Sequence, residues 1–189
     1  MNNPMQASIN YGPLTDLIGQ WEGETGVDIS PEEVGEERNL YRETLVFKPA
    51  RDVSNAEEQE LMVLHYHQMV VRLNDQKLIH NECGYYAWDE QNQQLIKSFS
   101  IPRGVAVVAG GGVSQNEGAF EYEVSAGIDD PDWPIAQTTF MRQKAQTKTY
   151  QFKIDLNGNE LRYRQSMLLQ IFGREFEHTD ENRLYRVVV

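Results

Sequence analysis

Apolar and polar residues alternate along most of the chain in short runs. RNLYRETLVFKPA (38–50), ELMVLHYHQMVVRL (60–73), KLIHNECGYYAW (77–88), QLIKSFSI (94–101) and GVAVVAGG (104–111) share this texture. GAFEYEVSA (118–126), AQTTFMRQ (136–143), TKTYQFKIDL (147–156), ELRYRQSMLLQIF (160–172) and REFEHTDENRLYRVVV (174–189) continue it. Each run is rich in β-branched or aromatic residues, which suit the pleated, half-buried surface of a strand. LND, DEQNQ, PRG, SQNEG, DDPDWP and LNGN punctuate the runs as turns. The strongest turn is Asn157-Gly158-Asn159, because Asn and Gly tolerate positive φ. One segment has helical spacing: GPLTDLIGQW (12–21) puts Leu14, Leu17 and Ile18 on one face and ends at Gly19.

About ten successive strands with short turns and almost no helix predict an all-β fold. The regular hairpins favour a closed, antiparallel up-and-down β-barrel with a short N-terminal helix over a sandwich. No linker, repeat or low-complexity segment interrupts the pattern, so residues 1–189 read as a single domain, with 1–11 as an N-terminal extension. The glycine run AGGGV (109–113) lacks the strand–loop–helix context of a phosphate cradle. It reads as strand kinks that relieve barrel curvature. Trp133, in DDPDWP, reads as a loop residue plugging an edge.

Charge narrows the function. The formal net charge is −12, with Lys and Arg scattered and acid clustered at PEEVGEE (31–37) and NAEEQE (55–60). Such a surface repels a phosphate backbone, so no nucleic-acid partner is expected. The most apolar run, GVAVVAGGGV (104–113), is too short and too glycine-rich to span a membrane. The start, MNNPMQASINYG, has neither the basic nor the apolar region of a secretory signal. Cys83 is the single cysteine, so no disulfide framework exists and a reducing, cytoplasmic location is the default.

Candidate chemistry gathers in the hairpin 60–88. With its turn at Asn74–Asp75, His67 is expected to face Glu82, Met69 to face His80 and His65 to face Gly84. Period-two alternation then puts His65, His67, His80 and Glu82 on one face, and Cys83 on the other with Tyr85 and Tyr66. A Cys-His nucleophile needs both groups on one face, which His80 and Cys83 do not provide. Two imidazoles in H-x-H spacing can reach one metal ion. Strand histidines beside an acid are more often hydrogen-bonded packing. Cys83 reads as a small buried hydrophobe.

The order of GPLTDLIGQWEG, LHYHQ, LIHNECGYYAW, a Pro-Arg-Gly turn and a late SMLLQ before a His-bearing strand resembles the nitrobindin family. These are heme-binding barrels shaped like lipocalins and fatty-acid-binding proteins. The resemblance covers roughly residues 12–187. Its most specific text is G-x-W-x-G at Gly19, Trp21 and Gly23, combined with H-x-E-x-G-Y at His80, Glu82, Gly84 and Tyr85.

The resemblance implies a ten-stranded barrel holding heme b at one open end. It implies nitric oxide binding or a heme-dependent peroxynitrite isomerase activity. The axial metal ligand would be His178, which follows Ser166–Met167. Met167, the Ile79–His80 pair and Trp21 would contribute to the cofactor site, with no separate catalytic residue. The text departs from the family where EGETGVDISPEE lacks a Tyr-Pro, and where His178 stands one residue off the usual spacing. The other reading is a non-enzymatic, lipocalin-like barrel around a small hydrophobic ligand. Either way the expected partner is a small molecule in the cavity, in a monomer or homodimer with no membrane contact.

Overall fold

The computed structural model describes residues 10–188. The strands are β1 (Gly19–Pro31), β2 (Glu36–Ala56), β3 (Gln59–Arg72), β4 (Leu78–Asp89), β5 (Gln94–Ile101), β6 (Val105–Asn116) and β7 (Ala119–Gly127). After them come β8 (Ile135–Gln137), helix α1 (Thr139–Lys144), β9 (Ala145–Asn157), β10 (Glu160–Ile171) and β11 (Arg174–Arg186). Neighbours in sequence pair antiparallel, β7 pairs β9, and β11 returns to β1. The pairing of β5 with β6 closes the ring, so ten strands form a barrel. The short β8 pairs Val105–Val107 of β6, where β7, which joins at Gly110, does not reach.

The structure corrects the reading of three segments. Residues 19–31, not anticipated as a strand, are β1, which seals the ring between β2 and β11. A register shift between Gly23 and Gly26 breaks its alternation. Residues 136–143, expected to be a strand, are β8 followed by α1. Thr138 caps α1, its hydroxyl accepting from the Met141 amide at 3.4 Å. The expected N-terminal helix is a 3₁₀ turn over Gly12–Leu17. Of the expected extension, residues 1–9 lie outside the described residues, and Tyr11 is buried in the core.

One end of the barrel is plugged by its own N-terminal segment. Leu14, Leu17 and Trp21 are fully buried there. The Trp21 indole donates to the Leu17 carbonyl at 2.8 Å, and the Arg186 guanidinium lies 4.2 Å over its ring. Gly110 leaves room for Trp133, whose indole occupies the space a Cβ would need. Aromatic rings from Phe47, Tyr66, Tyr86, Phe99, Tyr150 and Phe152 fill the middle. Among the described residues no helix is long and apolar enough to cross a membrane.

Candidate functional site

The β3–β4 hairpin carries a bulge that decides which side chains enter the barrel. Val71 pairs with Leu78, but Val70 pairs with His80, which leaves Ile79 as an extra residue. One extra residue exchanges the faces of everything beyond it. His65 therefore stands opposite Tyr85 and His67 opposite Cys83, on the outer face. Tyr66, Gln68 and Val70 share the inner face with Gly84, Glu82 and His80. The expected four-residue face of His65, His67, His80 and Glu82 does not form. His67 instead meets Asn81 at 2.7 Å, and Cys83 is exposed rather than buried. His80 and Glu82 do share a face, and their side chains meet at 3.2 Å.

At the end away from the N-terminal plug lies a cavity of about 850 Å³. His178, His80, Met167 and Ile79 all line it. Trp21 does not; it belongs to the plug. β10 and β11 pair without a register shift through the Phe172–Gly173 turn, both residues at positive φ. Met167 and His178 are direct cross-strand partners, so both point inward. Val70, Ile101, Met141 and Leu169 add apolar wall. Leu78, Phe140 and Phe172 are exposed at the mouth, an apolar rim of the kind that marks ligand entry. Arg103 and Lys144 bring positive charge to the same rim.

The His178 imidazole is bracketed by acids. Its Nε2 lies 2.7 Å from Asp28 and 3.5 Å from Asp180. Asp28 Oδ2 also accepts from Asn39 and Ser30, both at 3.0 Å. Burial works against the Asp28 charge, but the hydrogen bonds from His178 and Asn39 outweigh it and lower its pKa. Burial likewise disfavours the imidazolium, yet the Asp28 bond raises the His178 pKa. Burial lifts Asp180 to about 6. The three groups offer ligand atoms within 4.8 Å of one another.

Two buried polar clusters stand behind lining side chains, one behind Gln68 and Tyr163 and one behind His80. Glu43 accepts from Gln68 at 2.7 Å, Tyr163 at 2.8 Å and Asn182 at 2.9 Å. Burial nevertheless pushes its carboxyl up to about 7. Behind His80, Glu82 takes hydrogen bonds from Tyr66 and from Lys97, and Lys97 is itself almost wholly buried. Sequence reasoning missed Asp28, Glu43, Lys97 and Asp180. Alternation alone could have found two of them. Asp180 follows His178 by two on one strand, and Lys97 shares the inward face of Leu95 and Phe99.

A barrel with one plugged end and one lined cavity invites comparison with known ligand-binding barrels. The family model of the THAP4-like, heme-binding β-barrel domain matches residues 10–186. The chain belongs to this family. It is the nitrobindin-type barrel anticipated from the Trp21 and His80 motifs. A crystal structure of Rv2717c from M. tuberculosis superposes with a TM-score of 0.70. The alignment covers 95% of this chain and 100% of that one at 20% identity, a likeness that speaks for the fold alone. No curated protein matches the sequence.

A porphyrin fits this cavity in size and kind. The volume suits a cofactor-sized guest, apolar walls face it, and one inward imidazole stands beside a methionine. The carboxylate beside that imidazole is the feature a heme would have to displace from Nε2.

Proposed function

We propose that the chain holds heme b in the barrel cavity, with His178 as the single protein ligand to iron. The observation that carries this reading is the placement of His178 on the inner face, directly opposite Met167, in a cavity of about 850 Å³. Met167 and Ile79 supply soft apolar surface for the macrocycle. Arg103 and Lys144 at the mouth suit a guest with acidic tails, as heme has. His80 stands on the wall formed by β4, available to a small molecule entering the cavity. When bound, ferric heme would supply the iron chemistry for nitric oxide binding or peroxynitrite isomerisation to nitrate. The barrel would contribute the His178 nitrogen to hold the iron, and the His80 imidazole and apolar walls to set the polarity met by an entering ligand.

Hemin titration of the purified protein tests the reading. A sharp Soret band should grow to one equivalent in the wild type and be lost or shifted in His178→Ala. An unchanged band in that variant removes His178 as the ligand. A protein that takes up no hemin supports the small apolar ligand instead, and native mass spectrometry would then identify its occupant. Nitrate yield from peroxynitrite, with and without bound hemin, tests the activity.

A further inference from the structure

An ion pair buried behind a cavity-facing histidine calls for an explanation. Lys97 and Glu82 are each about 1% exposed, in the middle of the barrel. Removing two charges from water costs several kcal/mol per ion, and a hydrophobic pair of the same shape is often as stable or more so. Here the pair is fully engaged. Lys97 Nζ donates to Glu82 Oε1 at 3.2 Å and to the Tyr150 hydroxyl at 2.6 Å. It also lies 4.0 Å from the Phe152 ring centre and 4.4 Å from that of Phe99. Tyr66 donates to the same Glu82 oxygen. The other Glu82 oxygen meets His80 Nε2 at 3.2 Å.

The chemistry of this chain of contacts has one direction. A carboxylate only accepts, so His80 must donate through Nε2. Its second nitrogen, Nδ1, has no protein hydrogen-bond partner among the described residues, and the ring lines the cavity. We propose that Glu82 and Lys97 are positioning residues for His80: they fix its Nε2 as a donor to protein and leave Nδ1 to serve an anionic or polar guest in the cavity. Lys97 keeps Glu82 ionised, and the ionised Glu82 makes protonation of Nδ1 easier. The Nδ1–H then becomes a charge-assisted donor.

The charged groups around His80 support this. Burial disfavours its imidazolium, but the hydrogen bond and charge of Glu82 overcome burial and raise the pKa. Asp180, across the barrel on β11, pushes the same way, whereas Lys97 on β5 opposes. Arg72, Arg103, Lys144 and His178 line the same cavity. For Glu82, burial disfavours the carboxylate, but Lys97 and the bonds from His80 and Tyr66 hold its pKa well below the usual range. The role toward a guest rests on the heme reading. The positioning itself is measured without heme, so a barrel that takes no hemin sinks that reading and leaves this one to be judged on His80.

The test is a histidine ¹⁵N and ¹³C NMR titration of the heme-free full chain. In the wild type, neutral His80 should show the Nε2–H tautomer, and its midpoint should lie above the free value of about 6.5. Lys97→Met removes the cation that keeps Glu82 ionised and should loosen the hold on Nε2–H, seen as a mixture of tautomers. The double change Glu82→Gln with Lys97→Met removes the pair without stranding a charge. It should lower the midpoint by about one pH unit or more and release the tautomer. Unfolding transitions show which variants are native. A His80 midpoint and tautomer indifferent to both variants would mean the ion pair is only structural. A wild-type Nδ1–H tautomer would overturn the proposal directly.

Discussion

Asp28 Oδ1 lies 2.7 Å from His178 Nε2, bridging β1 and β11 at the cavity wall. This contact occupies the nitrogen that the proposed ligation of heme by His178 would use. Iron bound there would compete with the carboxylate for one atom, and a hydrogen bond between such charged groups contributes about 1.5 kcal/mol or more. Asp28→Ala removes the competitor while Asn39 keeps Glu37 as a partner. Hemin should then bind about tenfold more tightly, read from the Soret titration. Weaker binding in the variant would show that Asp28 helps to hold the ligand rather than competing with the metal.

Glu43 predicts a pH dependence of stability. Burial raises its folded pKa from 4.5 to about 7. The unfolded chain loses this proton near pH 4.5, whereas the folded chain keeps it until about pH 7. The stability associated with the protonated carboxyl is full below pH 4.5 and declines as the pH rises towards 7. Glu43→Gln removes the titration, so its stability relative to wild type should rise by about 3 kcal/mol between acid and pH 8. Urea unfolding at several pH values reads this difference, and any constant cost of the amide cancels. A difference that does not change with pH would place the Glu43 pKa near its ordinary value.

The barrel was legible because it is written in repeats of one signal: alternating strands with Asn, Gly and Pro turns between them. The parts that escaped are those where the backbone departs from that signal. β1 carries a register shift between Gly23 and Gly26, so its inward residues do not alternate in the text. That hid Asp28. Ile79 is a bulge that no residue type announces, and it separated His65 and His67 from the face they were expected to share with His80 and Glu82. The α1 segment opens with Thr138, Thr139 and Phe140, which read as strand, but the Thr138 cap and the burial of Met141 override that propensity. By contrast, Met167, Ile79, His80 and His178 were all named from motif order, and all four line one cavity.

Gly26 is a test of how β1 is accommodated. A Cβ there would stand 2.1 Å from the Tyr41 ring. Tyr41 cannot withdraw cheaply. It is fully buried, and its hydroxyl lies 2.7 Å from that of Tyr163. Gly26→Ala should therefore destabilise by about 2–3 kcal/mol, the cost of overpacking a closed core. In a chain of this size that lowers Tm by roughly 4–12 °C. A melt within about 1 °C of wild type would mean that β1 can slide past Tyr41.

Cys83 offers a chemical check on the Ile79 bulge. Without the bulge, continuous pairing from the hairpin turn would put Met69 opposite His80 and the Cys83 thiol on the same face as Tyr66, which is buried. With it, Cys83 pairs opposite His67 on the outer face and is exposed. The native protein should therefore react with a thiol reagent such as DTNB at close to one equivalent without denaturant. Cys83→Ser should leave stability within about 0.5 kcal/mol of wild type, as expected for a surface site. The reaction should also be insensitive to hemin, because the thiol points away from the cavity that His80 lines. A thiol that reacts only after unfolding, or that hemin protects, would return Cys83 to the interior. It would remove the bulge, and with it the inward placement of His80 and Glu82.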